Sequence, residues 1–172
     1  MRSRQPRRSS RPLELGRPHM LRRTLKTDPE TSARMKHIRQ ANTKPELLVR
    51  KWLASHGLRF RVKNRDLPGS PDIANRAKRW VVFVHGCFWH GHTGCSKATI
   101  PKRNTEFWIE KIARNKRRDG FKETQLREAG FDVHVVWQCE AERLAKQADV
   151  LDSLGERLLS RLRRVPRVPL GE

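Results

Sequence analysis

No stretch of the 172-residue chain comes near the 18 to 20 consecutive apolar residues that a bilayer-crossing helix needs, because charges interrupt every hydrophobic run. A membrane-spanning protein is excluded on that reading. Acidic residues are also scarce: 18 Asp and Glu stand against 39 Lys and Arg, a formal net charge of +21. So large a surplus points to a polyanionic partner, and nucleic acid is the commonest, since displacing counterions from phosphates drives association. Apolar residues are few, at 35%, and with the ten glycines added the share stays below the roughly 45–50% of globular chains. One modest domain with basic ends outside its core is expected. Only three cysteines occur, Cys87, Cys95 and Cys139. An odd number, with no export signal in view, makes structural disulfides improbable and leaves burial or metal ligation.

Residues 1–26 hold nine Lys or Arg and a single Glu with no apolar block, so they read as a mobile basic arm rather than a secretory leader, and a cytoplasmic location is expected. The arm could contact nucleic acid or merely solubilise the chain. Residues 153–172 form a second basic end, a C-terminal tail with a short helix before Pro166, leaving 27–152 as the folding unit. A short helix from Pro29 to Gln40 would present Arg34, Met35 and Arg39 to a partner. A stronger helix runs from Lys44 to His56, with Thr43 as N-cap, Glu46 closing a capping box, Gly57 as its stop, and Leu48, Trp52 and Leu53 as its apolar face. Arg59–Val62 alternates like a strand, and LPGSP (67–71) marks a turn before Asp72 and another short strand.

The run WVVFV (80–84) is apolar throughout, as a central strand buried on both faces should be. Further on, Thr105 to about Lys116 forms a helix with Trp108, Ile109 and Ile112 on one side. A second helix spans about Asp119 to Ala129, and Phe131–Trp137 is a strand. Alternating strands and helices indicate an α/β fold, a mixed sheet covered by helices.

The densest chemistry lies in HGCFWHGHTGC (85–95), with three histidines and two cysteines in eleven positions directly after the central strand. A structural zinc takes four thiolate or imidazole ligands. Cys87, Cys95, one histidine and Cys139, just past the strand Phe131–Trp137, could supply them. Spacing leaves His90 and His92 both open as the imidazole ligand. Asp72 precedes His85 by thirteen positions, and in an antiparallel strand pair the two could share a cleft able to bind hydrated Mg²⁺. Glu46 could add a carboxylate, although capping alone explains it. The pairs Phe88–Trp89 and Phe107–Trp108 could stack on bases or pack in a core.

HGCFWHGH, with LPGSPD before it and TEFWIEKI and VVWQC after it, closely resembles the very short patch repair (Vsr) DNA mismatch endonucleases, with the segments in the same order from about Asp28 to Glu140. The resemblance implies a restriction-endonuclease-like α/β fold with structural zinc, and Mg²⁺-dependent nicking of duplex DNA 5′ to the thymine of a T:G mismatch left by deamination of 5-methylcytosine. By the same resemblance Asp72 and the Val84 carbonyl would hold Mg²⁺, His85 and His90 would be the active-site histidines, and Glu46 their supporting acid. Cys87, His92, Cys95 and Cys139 would ligate zinc. Phe88, Trp89 and Trp108 would pry open the stack, with Met35 entering from the other groove. Such a protein would act as a monomer, with mismatch-repair proteins as further partners. Two rivals account for part of the pattern: a noncatalytic zinc-stabilised DNA-binding protein, and a basic RNA-associated protein, which leaves Asp72, His85 and His90 without a task.

Overall fold

A computed structural model describes residues 29–37, 41–146 and 153–164. The arm 1–26, Arg39 and the end of the C-terminal tail lie outside those residues, as does the side chain of Arg34. In order come α1 (Pro29–Lys36), α2 (Lys44–Ser55), β1 (Ile73–Asn75), β2 (Trp80–His85), α3 (Thr105–Glu128), β3 (Asp132–Trp137), α4 (Gln138–Lys146) and α5 (Ser153–Arg164). The sheet is mixed, in the order β1-β2-β3: β1 runs antiparallel to β2, with Ile73 opposite Val82, and β2 runs parallel to β3, with His85 opposite Trp137. The strand that reads as central is central.

Its unbroken apolar run follows from cover on both faces. Trp80, Val82 and Ile73 pack with Val136 against α2, α4 and α5. Val81, Phe83 and Ala74 pack with Val133 against Leu126 of α3. Successive side chains of β2 therefore point into different layers, and this alternation positions the functional side chains at the strand's end.

Four expectations are corrected. Arg59–Val62 makes only one bridge, Arg61 to Ala74, because Lys63 turns to a φ of 65° and carries the chain away from the sheet. The two helices expected over 105–129 are one helix of 24 residues. Gly120 does not divide it, since it lies within the helix and exposed positions tolerate glycine at a cost of about 1 kcal/mol. On that helix Ile112 is buried whereas Ile109 is 51% exposed. Lastly, residues 153–164 form α5, whose Leu158, Leu159 and Leu162 enter the main core, so the basic end contributes an apolar stripe to the folded unit.

In α2 the inward stripe is Glu46, Val49, Trp52 and Leu53, with Leu48 only half-buried. The spacing i, i+3, i+6, i+7 is one helix face, so Glu46 points inward with the core residues. Leu53→Ala should cost about 2–5 kcal/mol in urea denaturation. Leu47→Ala, at a half-exposed position, should stay within about 0.5 kcal/mol. Similar losses at both would mean that α2 turns a different face to the sheet.

Candidate functional site

Beyond β2 the chain coils back on itself. The His90 amide donates to the Gly86 carbonyl at 3.1 Å and the His92 amide to the Cys87 carbonyl at 2.9 Å. Gly91 permits this turn, for its φ is +62° and a Cβ there would lie 2.6 Å from both Ile112 and Lys116 of α3. Asn115 of α3 fastens the loop by donating to the Trp89 carbonyl at 2.8 Å. The coil lays the His90 ring on His85, with centroids 4.0 Å apart and planes within 8°. His90 Nδ1 meets Asp119 Oδ2 at 2.5 Å. Burial, and then the charge of His90, push His85 down to about 4, so it stays neutral at physiological pH.

Asp119 does not stand out in the sequence, yet two signals point to it. It is the lone acid between Lys111 and Lys122, and it follows Ile112 and Asn115 at the seven- and four-residue spacing of one helix face.

Asp72 arrives from the residue that precedes β1. Its Oδ2 accepts the Val84 amide at 2.7 Å, just ahead of the antiparallel β1–β2 pairing. Burial pushes its carboxyl up to about 6, opposed by that hydrogen bond and helped by the charge of Glu46. The structure thus groups His85, His90 and Asp119, with ligand atoms within 4.8 Å of one another, on the α3 side. Glu46 pairs with Arg50 on α2, and the charges of both act on Asp72, which is held at the amide of the residue before His85. The two sets are held at neighbouring residues of β2, Asp72 at the Val84 amide and the imidazoles at His85.

A second cluster sits beside the first. Cys87, His92, Cys95 and Cys139 bring four ligand atoms within 4.8 Å of one another, and these residues could hold a metal ion. His92 Nδ1 lies 3.5 Å from Cys87 Sγ and 3.4 Å from Cys139 Sγ. A tetrahedral ion with bonds of about 2.3 Å to sulfur and 2.05 Å to nitrogen would need about 3.6 Å there. Of the two candidate histidines, His92 is the one that joins the thiols. The donor chemistry agrees: desolvation and the neighbouring thiols push Cys139 up to about 12, a crowding that a cation would relieve. Cys95 is instead lowered, first by a hydrogen bond to the Lys97 backbone. Trp137 spans both clusters, stacked on His92 at 4.2 Å with its edge to His85 at 5.5 Å.

The aromatic pairs are joined in one group. Phe88, Trp89 and Trp108 contact one another edge to face at 5.1–5.9 Å, and Phe107 adjoins Trp108. Lys111 places its ammonium 5.3–5.4 Å from the Trp89, Phe107 and Trp108 rings. All four rings are partly exposed. Met35 is half-buried on α1.

Comparison with known proteins bears on these sets. A family profile described as DNA mismatch endonuclease Vsr matches residues 25–97. The DNA mismatch endonuclease Vsr of Escherichia coli is 40% identical over 127 residues, which cover 74% of this chain and 80% of that protein. The chain belongs to the Vsr family. Two further relatives are the type II nicking enzyme V.XorIIP of Xanthomonas oryzae pv. oryzae, 48% identical over 122 residues (69% of this chain, 89% of that protein), and V.NmeAIP of Neisseria meningitidis, 50% identical over 111 residues (64% and 79%). The profile takes in Glu46, Asp72, His85, His90 and His92, whereas Asp119 and Cys139 lie beyond it and are joined to the site by the fold.

Proposed function

We propose that this chain is a Mg²⁺-dependent, strand-specific endonuclease with a restriction-endonuclease-like core and a structural zinc, nicking duplex DNA 5′ to the thymine of a T:G mismatch. Family membership supports the mismatch endonuclease assignment. The observation that carries the chemistry is the His90–Asp119 pair stacked on His85, one residue along β2 from the amide that binds Asp72.

Asp72 and the Val84 carbonyl are the residues that would hold Mg²⁺, which when bound supplies charge for the phosphate oxygens and acidifies water. His90, with Nδ1 donating to Asp119, is left with Nε2 as an acceptor, so it would take the proton of the attacking water, and the fixed Asp119 carboxylate would stabilise the imidazolium that forms. Neutral His85 and buried Glu46 would orient water near the leaving oxygen. Cys87, His92, Cys95 and Cys139 would bind the zinc that braces the loop carrying these groups.

Selectivity would arise from mechanics. A wobble-paired step costs less to unstack than a matched one, and Phe88, Trp89 and Trp108, with Met35 opposite, would exploit the difference. The partner is then mismatched duplex DNA, reached in the cytoplasm by a protein whose described helices are nowhere long and apolar enough to cross a membrane.

The test is a nicking assay on T:G and T:A duplexes with and without added Mg²⁺. Cleavage of the T:G strand alone, and only with Mg²⁺, is expected. Tight binding without any cleavage would indicate the noncatalytic reading. Trp89→Ala or Trp108→Ala should reduce T:G over T:A discrimination about tenfold, because stacking on an aromatic ring is worth about 1–3 kcal/mol per base. Unaltered discrimination in both variants would assign the rings to packing.

A further inference from the structure

The carboxylate of Glu46 is fully subscribed. Oε1 accepts the Thr43 hydroxyl at 2.8 Å and the Thr43 amide at 3.4 Å, while Oε2 accepts the Asn42 amide at 3.0 Å and Arg50 Nη2 at 2.9 Å. A carboxylate has about four lone-pair sites. Glu46 therefore has none left for a metal-bound water while all four donors stay in place. Three belong to the helix cap itself and are tied to its backbone. The fourth is the end of a long side chain and can leave.

Arg50 is also the cation of this acid pocket. It bridges Glu46 and Asn42, whose Oδ1 accepts Nη1 at 2.6 Å, and its charge favours an ionised Asp72 where that of Glu46 opposes it. Its side chain is only 18% exposed, and its Nε is buried with no hydrogen-bond partner. Capping does not require such a residue, since the capping box is made by Thr43 and Glu46 alone. Leaving a buried guanidinium donor unpaired costs about 1–3 kcal/mol, and what stands against that cost is the ion pair with buried Glu46.

We infer that Arg50 is the internal counter-ion of Glu46, a positioning residue that holds this carboxylate before a divalent ion arrives at Asp72 and competes with that ion for it. The inference rests on the proposed role of Asp72 as a metal ligand. It assigns Arg50 control over how tightly the site takes its metal.

The test is titration of Mn²⁺ into DNA-free, zinc-loaded protein, followed by loss of the free-ion paramagnetic signal and by thermal unfolding. Mn²⁺ suits oxygen ligands, whereas the thiolate corner prefers zinc. Arg50→Gln should tighten Mn²⁺ binding about three- to tenfold, lower the midpoint of unfolding without Mn²⁺, and show a larger rise on adding it than the parent protein. Arg50→Met removes the same charge with an apolar stem and carries the test if the Gln variant does not fold. Arg50→Lys keeps the charge and should stay within about twofold of the parent, since a point charge at this site repels a cation much as the guanidinium does. Equal or weaker Mn²⁺ binding in the neutral variants overturns the inference and leaves Arg50 as a helix support. Asp72→Asn separates the two readings: if it leaves Mn²⁺ binding intact in the parent protein, the metal assignment falls and the role of Arg50 falls with it. If it abolishes binding while Arg50→Gln changes nothing, only the role of Arg50 fails.

Discussion

Asp72→Asn is expected to lower the nicking rate on a T:G duplex on the order of 10³-fold, as loss of a principal electrostatic stabiliser does, while leaving duplex affinity within a few-fold. The same variant should be more stable than the parent protein in the absence of divalent ions. Burial holds the Asp72 carboxyl at about 6, above the 3.8 of an exposed aspartate. The folded state therefore binds the proton more tightly than the unfolded state. That contribution to stability is complete below about pH 4 and is lost as the pH rises through 6. The advantage of the asparagine variant should appear between those values and level off above them, in thermal unfolding followed across pH. Lost activity with raised stability would mark a charge kept for function at the expense of the fold. Lost activity with lowered stability would assign Asp72 to structure instead. Asp66→Asn is the control, since that carboxylate sits in an exposed pair with Arg76 and should alter neither property.

Removing the proposed zinc ligands should have the larger structural effect. Binding of a structural zinc is worth about 10–16 kcal/mol, comparable with the roughly 5–15 kcal/mol that holds a whole domain. Cys87 is fully buried and Cys139 opens α4, so Cys87→Ser or Cys139→Ser is expected to abolish cooperative unfolding and release the metal. The histidine pair would go with it, because the loop between Cys87 and His92 carries His90 and the stacked Trp137 links His92 to His85. Elemental analysis of the purified protein should find one zinc per chain, and a thiol-reactive reagent should liberate it. A metal-free preparation with the same unfolding midpoint would show that the three thiols are simply packed.

The chemistry of the site is legible in the sequence because it is concentrated. The string from His85 to Cys95 follows directly on a strand whose apolar run announces its central place, and the capping signals of α2 locate Glu46. Less is legible where contacts are distant in the chain. Asp119 reaches His90 across 29 residues, and its meaning depends on α3 being one helix. A glycine at 120 obscures that, since local propensity cannot weigh the tertiary contacts that keep the helix continuous. Arg50 reads as one more basic residue among 39. Its partners identify it.

Composition and local pattern were enough to determine a cationic α/β protein with a buried central strand and to single out a His/Cys-rich segment at its end, because periodicity and residue type act over a few positions at a time. The choice of His92 over His90 for the thiol corner, the partnership of His90 with Asp119, and the stacking of His90 on His85 were decided only by the folded molecule. Each of these depends on which layer a β2 side chain enters and which helix covers it, and that is a property of the packed sheet rather than of any segment alone.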